Sequence, residues 1–305
     1  MEPEAGIHLP VLPDEVAFLL RPRTRGWVVD GTVGMGGHAE LLLERGGNEV
    51  RLLGIDRDEV ALAQARRRLA RFGDRVVLRQ ASFRDLDSVA REAGVDAAQS
   101  VLIDLGLSSH QLAAPERGFS FSTEAPLDMR FDRSAGETAA QLLARLPEAE
   151  LARIIFEYGG EPRARRIARE IVTRRRRTPL RTTVDLVAAV KAAVPRRAWP
   201  RERHVATRTF QALRMAVNEE VEALTEALPR AAGLLAPGGR LGVISFHSGE
   251  DRIVKRAFLS LARGPYAVLE PSPLTPCREE ILLNPRCRSA KLRVLERAGG
   301  PNGTR

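Results

Sequence analysis

Cysteine is almost missing from this 305-residue chain, which has only Cys277 and Cys287. That scarcity excludes a disulfide framework and leaves a packed core to hold the fold. Aromatic residues make up only 5% of the chain, and no stretch approaches the ~18 consecutive apolar residues of a membrane helix. Lysine occurs only at positions 191, 255 and 291, so arginine carries nearly all the positive charge, as a biased genome would also produce. Few Asn, Cys and Met residues point towards a heat-adapted source. Met1-Glu2-Pro3-Glu4-Ala5-Gly6 lacks the basic and then apolar order of a signal peptide, so a reducing cytoplasm is the expected location. No His/Cys cluster has zinc-like spacing, since the two cysteines lack matching partners and His8, His110 and His204 are scattered. No structural metal is expected.

What is present suffices for a large core. Hydrophobic residues form 44% of the chain and charged residues 29%, close to globular averages, and the length is about twice the ~150 residues of one domain. The net charge of +9 is unevenly spread. Residues 161–214 hold 16 Lys/Arg against four Asp/Glu, which leaves the remainder slightly acidic. Such concentration implies a polyanionic partner, and nucleic acid fits better than a membrane because no strongly apolar face lies nearby.

Strand and helix signals alternate over the first hundred residues. Gly26 to Thr32, Val50 to Ile55, Val76 to Leu78 and Val101 to Asp104 read as buried parallel strands. Between the second and third, Leu62, Ala65, Leu69 and Phe72 mark one face of a helix capped by Asp58. From about Pro115 the pattern is helical, over Ala139 to Leu146, Glu148 to Tyr158, Arg163 to Arg175 and Val184 to Val194, with Thr182 and Asp185 at capping-box spacing. Strands return at Gly239 to Phe246, after a helix ending in Leu234 to Gly238, and at Leu292 to Leu295. The expected fold is therefore α/β, a parallel sheet interrupted by a helical insert. The core is expected over 1–114 and 212–305, and the basic insert over 115–211.

The turn Gly34-Met35-Gly36-Gly37-His38 joins the first strand to its helix and opens the backbone to a ligand. Gly34, Gly36 and Ala39 also satisfy a dinucleotide pattern, with Asp56 or Asp58 placed for a ribose, so a nicotinamide enzyme is one reading. Asp30 pulls the other way. A carboxylate at the end of the first strand repels a pyrophosphate and attracts an ammonium group, which S-adenosylmethionine carries. Asp30, Asp56 and Asp104 each end a strand at the sheet edge where open α/β sheets bind ligands, so together they point to one crevice.

At these residues the chain resembles the bacterial ribosomal RNA small-subunit methyltransferase H family. The shared motifs are Val29 to Thr32, Gly36 to His38, Ile55 to Asp58, Asp104 to Gln111, Arg117 to Phe121, Pro126 to Arg130, Ala206 to Arg214, Ser245 to Arg252 and Asn284 to Arg286, in a match from His8 to about Arg297. The resemblance implies a Rossmann-like class I S-adenosylmethionine-dependent methyltransferase sheet with an inserted α-helical domain. It implies methylation of the exocyclic N4 of a decoding-region cytidine in 16S ribosomal RNA of the small subunit, with no membrane partner. It also implies cofactor contacts from Gly36, Gly37, His38, Asp56, Phe83, Asp104 and Gln111. Without it, Phe83 reads as core and His38 as a helix-start residue. Arg130, Arg208, Arg214 and Arg252 lie in the shared motifs and are the expected substrate contacts. Two departures concern loops: Gly249 replaces a larger apolar residue, and the segment 264–283 is shorter than in many relatives.

Many amino-methyltransferases follow the fourth strand with an Asn/Asp/Ser-Pro-Pro-aromatic motif, whereas this chain has Asp104-Leu105-Gly106-Leu107. No catalytic base is therefore assigned; Asp104, Ser245 and His247 are the alternative acceptors. A non-catalytic RNA-binding module is a further reading of the basic insert, and the residue pattern fixes no oligomeric state.

Overall fold

Short apolar runs, three of them ending in carboxylates, build one seven-stranded sheet. The computed structural model describes residues 9–20, 25–108, 111–112 and 114–299. The readings made on His8, Ser109, His110 and the last residues of the tail lie outside the described residues. The strands are β1 (Arg25–Asp30), β2 (Glu49–Asp56), β3 (Val76–Gln80), β4 (Ala98–Asp104), β5 (Leu235–Ser245), β6 (Tyr266–Val268) and β7 (Lys291–Arg297). Their order is β3-β2-β1-β4-β5-β7-β6, with β7 antiparallel to β5 and β6 and the remaining pairs parallel. The order reverses at β1, which pairs with β2 on one side and β4 on the other, so a crevice opens beyond the carboxyl ends of β1 and β4.

Alternation along each strand assigns its side chains to two layers. Val28, Leu52 and Leu102 pack on one face with Val16 of α1 (Pro13–Leu19), Leu42 and Leu43 of α2 (Gly37–Arg45) and Leu62, Ala65 and Leu69 of α3 (Glu59–Leu69). Their neighbours Val29, Leu53, Val101 and Ile103 face the other side, with Leu86 and Ala90 of α4 (Leu86–Glu92) and Leu224, Ala227, Leu228 and Ala231 of the long helix Glu220–Leu234. Asp58 caps α3 as its sequence position predicts, accepting a hydrogen bond from the Val60 N–H at 3.0 Å.

Strand β5 starts earlier than the sequence expectation, and strand β6 is additional to it. Strand β5 begins at Leu235, four residues before the expected start, because Leu235 pairs with Ala98 ahead of a bulge that absorbs Pro237 and Gly238. Pro-Gly reads as a breaker in sequence, yet a bulge carries it within the ladder. Strand β6 has only three residues and no usable periodicity; its pairing with β7 defines it.

The chain divides into two compact units, Met1–Gly106 with Glu222–Arg305, and Leu107–Val221. The sequence placed the insert at 115–211, inside these limits, because the helical pattern becomes legible only after Pro115. The second unit has its own core, with Leu151, Ile154, Ile155, Ile167, Ala168, Ile171, Leu186 and Val190 buried between the helices Glu148–Glu157, Ala164–Arg175 and Thr183–Ala193. The expected capping box forms at Thr182 and Asp185. Among the described residues, no helix is long and apolar enough to cross a membrane.

Candidate active site

The turn after β1 is held in place from both neighbouring strands. The Gly31 N–H donates to the Leu102 carbonyl at 2.8 Å, the Val33 N–H to the Ile55 carbonyl at 2.9 Å, and the Asp104 N–H to Thr32 Oγ1 at 2.6 Å. Gly36, at φ 86°, caps the N-terminus of α2, and a Cβ there would stand 3.4 Å from Leu69. This left-handed backbone keeps the turn close to α3 and is the reason for glycine at that position. Gly37 begins the helix, followed by His38.

Asp56 holds the turn electrostatically. Its Oδ2 accepts a hydrogen bond from the Gly34 N–H at 2.8 Å, and its Oδ1 from the Asp58 N–H at 2.9 Å. Burial pushes Asp56 up to about 6 against these lowering hydrogen bonds. Asp30 is 1% exposed and pushed up to about 7 by burial, which outweighs the Thr32 N–H bond, with Asp56 adding repulsion. Asp104 is raised well above the ordinary range by burial, then by Asp30 and Glu250. Its Oδ1 is sealed from solvent without a hydrogen-bond partner, and its Oδ2 lies 3.6 Å from His38 Nδ1. Phe83 opens a short 3-10 turn and lies beside Gly31, where a Cβ would meet its side chain at 3.3 Å.

One buried carboxylate, Asp30, and two half-buried ones, Asp56 and Asp104, disfavour further negative charge, so a pyrophosphate is a poor fit here. A ligand with positive charge and hydroxyl groups fits. The cation favours the ionised carboxylates, and hydroxyls use acceptor capacity that Asp56 retains. These are the recognition elements of S-adenosylmethionine.

Glu250, whose charge acts on Asp104, is 4% exposed at the start of helix Ser248–Leu261. Its Oε2 accepts hydrogen bonds from the Phe246 N–H at 2.9 Å and the His247 N–H at 3.3 Å. His247 caps the helix by accepting the Glu250 N–H on Nδ1 at 3.3 Å. Its Nε2 lies 2.9 Å from Glu250 Oε1 but off the hydrogen-bond direction, so that contact is electrostatic. Gly249 leaves room for this ring, because a Cβ there would stand 3.0 Å from His247 Nδ1. Neither Thr32 nor Glu250 is singled out by sequence reasoning. Thr32 carried no signal of its role, while glutamate three residues after His247 is the spacing of a capping box.

The remaining sequence candidates occupy different settings. Gln111 is buried in the helical unit, accepting the Ser108 N–H at 3.1 Å on its side chain. Arg130 is bidentate to Asp128 at 2.7 and 3.0 Å, and Arg214 is bidentate to Glu220 at 2.7 Å through each nitrogen. Arg208 lies 3.9 Å from Glu161. Arg252 is exposed. The run Arg174 to Arg177 splits: Arg174 pairs with Glu170, Arg175 donates to the Leu143 and Leu146 carbonyls, and Arg176 and Arg177 are exposed.

The profile of the MraW methylase family matches residues 5–298. The chain belongs to this family. It is therefore a methyltransferase. It is 49% identical to the ribosomal RNA small subunit methyltransferase H of Geobacter sp. (strain M21), over 95% of this chain and 98% of that protein. It is 48% identical to the enzyme of the same name from Heliobacterium mobile, with the same two coverages. Among solved structures it is similar to an rRNA methylase from Streptococcus thermophilus, at 13% identity, a TM-score of 0.44 and 93% coverage of each chain.

Proposed function

We propose that this MraW-family methylase transfers a methyl group from S-adenosylmethionine to the exocyclic N4 of a decoding-region cytidine in 16S ribosomal RNA of the small subunit. The observation that carries the reading is the buried, unpartnered Oδ1 of Asp104 at the carboxyl edge of β4, flanked by Asp30 and the Asp56-bound glycine turn. The relatives' names, shared over nearly the whole chain, support the small-subunit substrate.

When bound, S-adenosylmethionine supplies an electrophilic methyl group on a positively charged sulfur. Asp56 binds the ribose hydroxyls, Phe83 covers the adenine, Gly36, Gly37 and His38 line the approach, and Asp30 and Asp104 attract the cationic part. Cytosine N4 is a poor nucleophile because its lone pair is delocalised into the ring, so alignment and a hydrogen-bond acceptor for the amino group are what the protein must provide. Asp104 takes that hydrogen bond and receives the proton that the amino group loses on methylation. His247 accepts the Glu250 N–H on Nδ1 and so serves as a helix cap.

A base in a crevice must leave its stack, so an irregular or unpaired RNA segment is the cheaper substrate. Arg163, Arg165, Arg166, Arg176, Arg177 and Arg252 supply phosphate contacts without sequence reading. The test is transfer of radiolabelled methyl from S-adenosylmethionine to small subunits from a strain lacking the modification, followed by mass mapping of the labelled nucleoside. N4-methylcytidine in the decoding region is expected. Label in another nucleoside, or none, contradicts the reading.

A further inference from the structure

The helical unit holds a second cluster of aromatic and basic residues, away from the arginine-rich helix Ala164–Arg175 in sequence. Trp199 follows the short turn Arg196–Ala198. Its indole N–H donates to the Val194 carbonyl at 2.9 Å, which fixes the ring by its edge. Lys191 Nζ and Arg196 Cζ lie over the ring, 5.9 and 5.7 Å from its centroid, and the indole packs in part against the core of the helical unit. Nearby in sequence, His204 stacks on Phe121 with centroids 4.6 Å apart and planes 19° apart, and Phe210 meets Phe121 edge-on. The His204 Nδ1 accepts the Ala206 N–H at 3.2 Å, so this ring too is held.

Charge decides what such a surface can meet. Arg196, Arg197, Arg201 and Arg203 are exposed, and none has an ion pair with a described residue; Glu202 is the one carboxylate between Lys191 and His204. By contrast, Arg130, Arg208 and Arg214 face internal carboxylates. A fixed, part-exposed indole among exposed guanidinium groups without a carboxylate partner is the arrangement that single-stranded nucleic acids use, with a base on the ring and phosphates on the cations.

We infer that Trp199, with Lys191, Arg196, Arg197, Arg201 and Arg203, is a stacking platform for an unpaired segment of RNA. The inference rests on the proposed RNA substrate and adds where and how a flanking segment is gripped. Sequence tolerance follows, since every base has a face that stacks.

The chain has two tryptophans, so a full-length Trp27→Phe protein reports on Trp199 alone. A single-stranded RNA decamer should quench its emission, and polyglutamate should leave it unchanged. In an unquenched background, Trp199→Ala should weaken decamer binding by about tenfold or more, with Trp199→Phe recovering part of the loss. Arg196→Gln with Arg197→Gln should flatten the salt dependence of binding, by about one unit per lost phosphate contact. Circular dichroism and S-adenosylmethionine binding show whether each variant is folded. Unchanged decamer affinity in folded Trp199→Ala, or equal quenching by polyglutamate, overturns the platform; the latter would indicate an acidic protein surface instead. Methyl transfer to small subunits separates the two readings. If the unaltered chain labels the RNA while Trp199→Ala binds and labels it equally well, only the platform fails. If the unaltered chain labels no RNA, the proposed reaction fails whatever the decamer shows.

Discussion

His38 presents Nδ1 to Asp104 Oδ2 at 3.6 Å while its Nε2 lies 2.8 Å from the Val11 carbonyl. A carbonyl only accepts, so Nε2 carries a hydrogen, and Nδ1 faces the Asp104 carboxylate from beyond hydrogen-bond length. Asp104 is raised by burial and by Asp30 and Glu250. Burial therefore favours the protonated carboxyl at this edge, and a cationic ligand would favour the ionised one.

Donor binding should release protons. Between the ordinary value of 3.8 and about 6 for Asp56 or about 7 for Asp30, the folded chain keeps protons that the unfolded chain has lost. These groups contribute stability below pH ~4, and that contribution is lost as pH rises through the window. A cation favours the ionised form, so affinity for S-adenosylmethionine should rise with pH, by up to about tenfold per unit for one linked proton. Calorimetry near pH 6.5 in two buffers of different ionisation enthalpy should give different apparent heats; equal heats exclude the linkage.

Asp56→Asn should weaken S-adenosylmethionine binding by about ten- to a hundredfold, the effect of losing charged hydrogen bonds worth about 1.5–3 kcal/mol. The Gly34 and Asp58 N–H groups keep one acceptor between them, so the thermal midpoint should fall only modestly. Titration calorimetry and a melting curve read the two effects separately. An unchanged dissociation constant would remove Asp56 from the cofactor site.

Glu250→Gln should move the pH dependence of donor binding to lower pH, since it removes a negative charge acting on Asp104 while retaining an acceptor for the Phe246 and His247 N–H groups. Glu250→Ala leaves those donors without it and should cost about 1–3 kcal/mol of stability. A pH midpoint that stays fixed in the Gln variant would show that Glu250 acts only on the turn.

Arg214→Ala should unfold more easily than Arg252→Ala. Arg214 and Glu220 are 11% and 13% exposed at their side chains, and removal of one partner from a buried pair costs about 3 kcal/mol. Arg252 is exposed, so its loss should change stability by no more than about 0.5 kcal/mol and act on RNA binding alone. Chemical denaturation compares the two; equal stability would remove the structural role of the Arg214 pair.

Much of the scaffold is legible in sequence because its causes are local. Apolar runs of β-branched residues ending in Asp30, Asp56 and Asp104 become β1, β2 and β4, and Asp58 and Thr182 cap the helices that their spacing predicts. The Pro237-Gly238 bulge and the short strand β6 are not legible, because pairing with β4 and β7 decides them.

The sequence by itself determined the parallel α/β core, the helical insert and the acidic residues at strand ends, since period-two burial, capping and turn chemistry act within a few residues. Only tertiary structure decided which charges are satisfied. It committed Arg130 and Arg214 to internal carboxylates, seated Thr32 against the Asp104 N–H, and left one Asp104 oxygen sealed without a partner. Burial and the distance between residues far apart in the chain set the protonation of a carboxylate, and neither is written in local sequence.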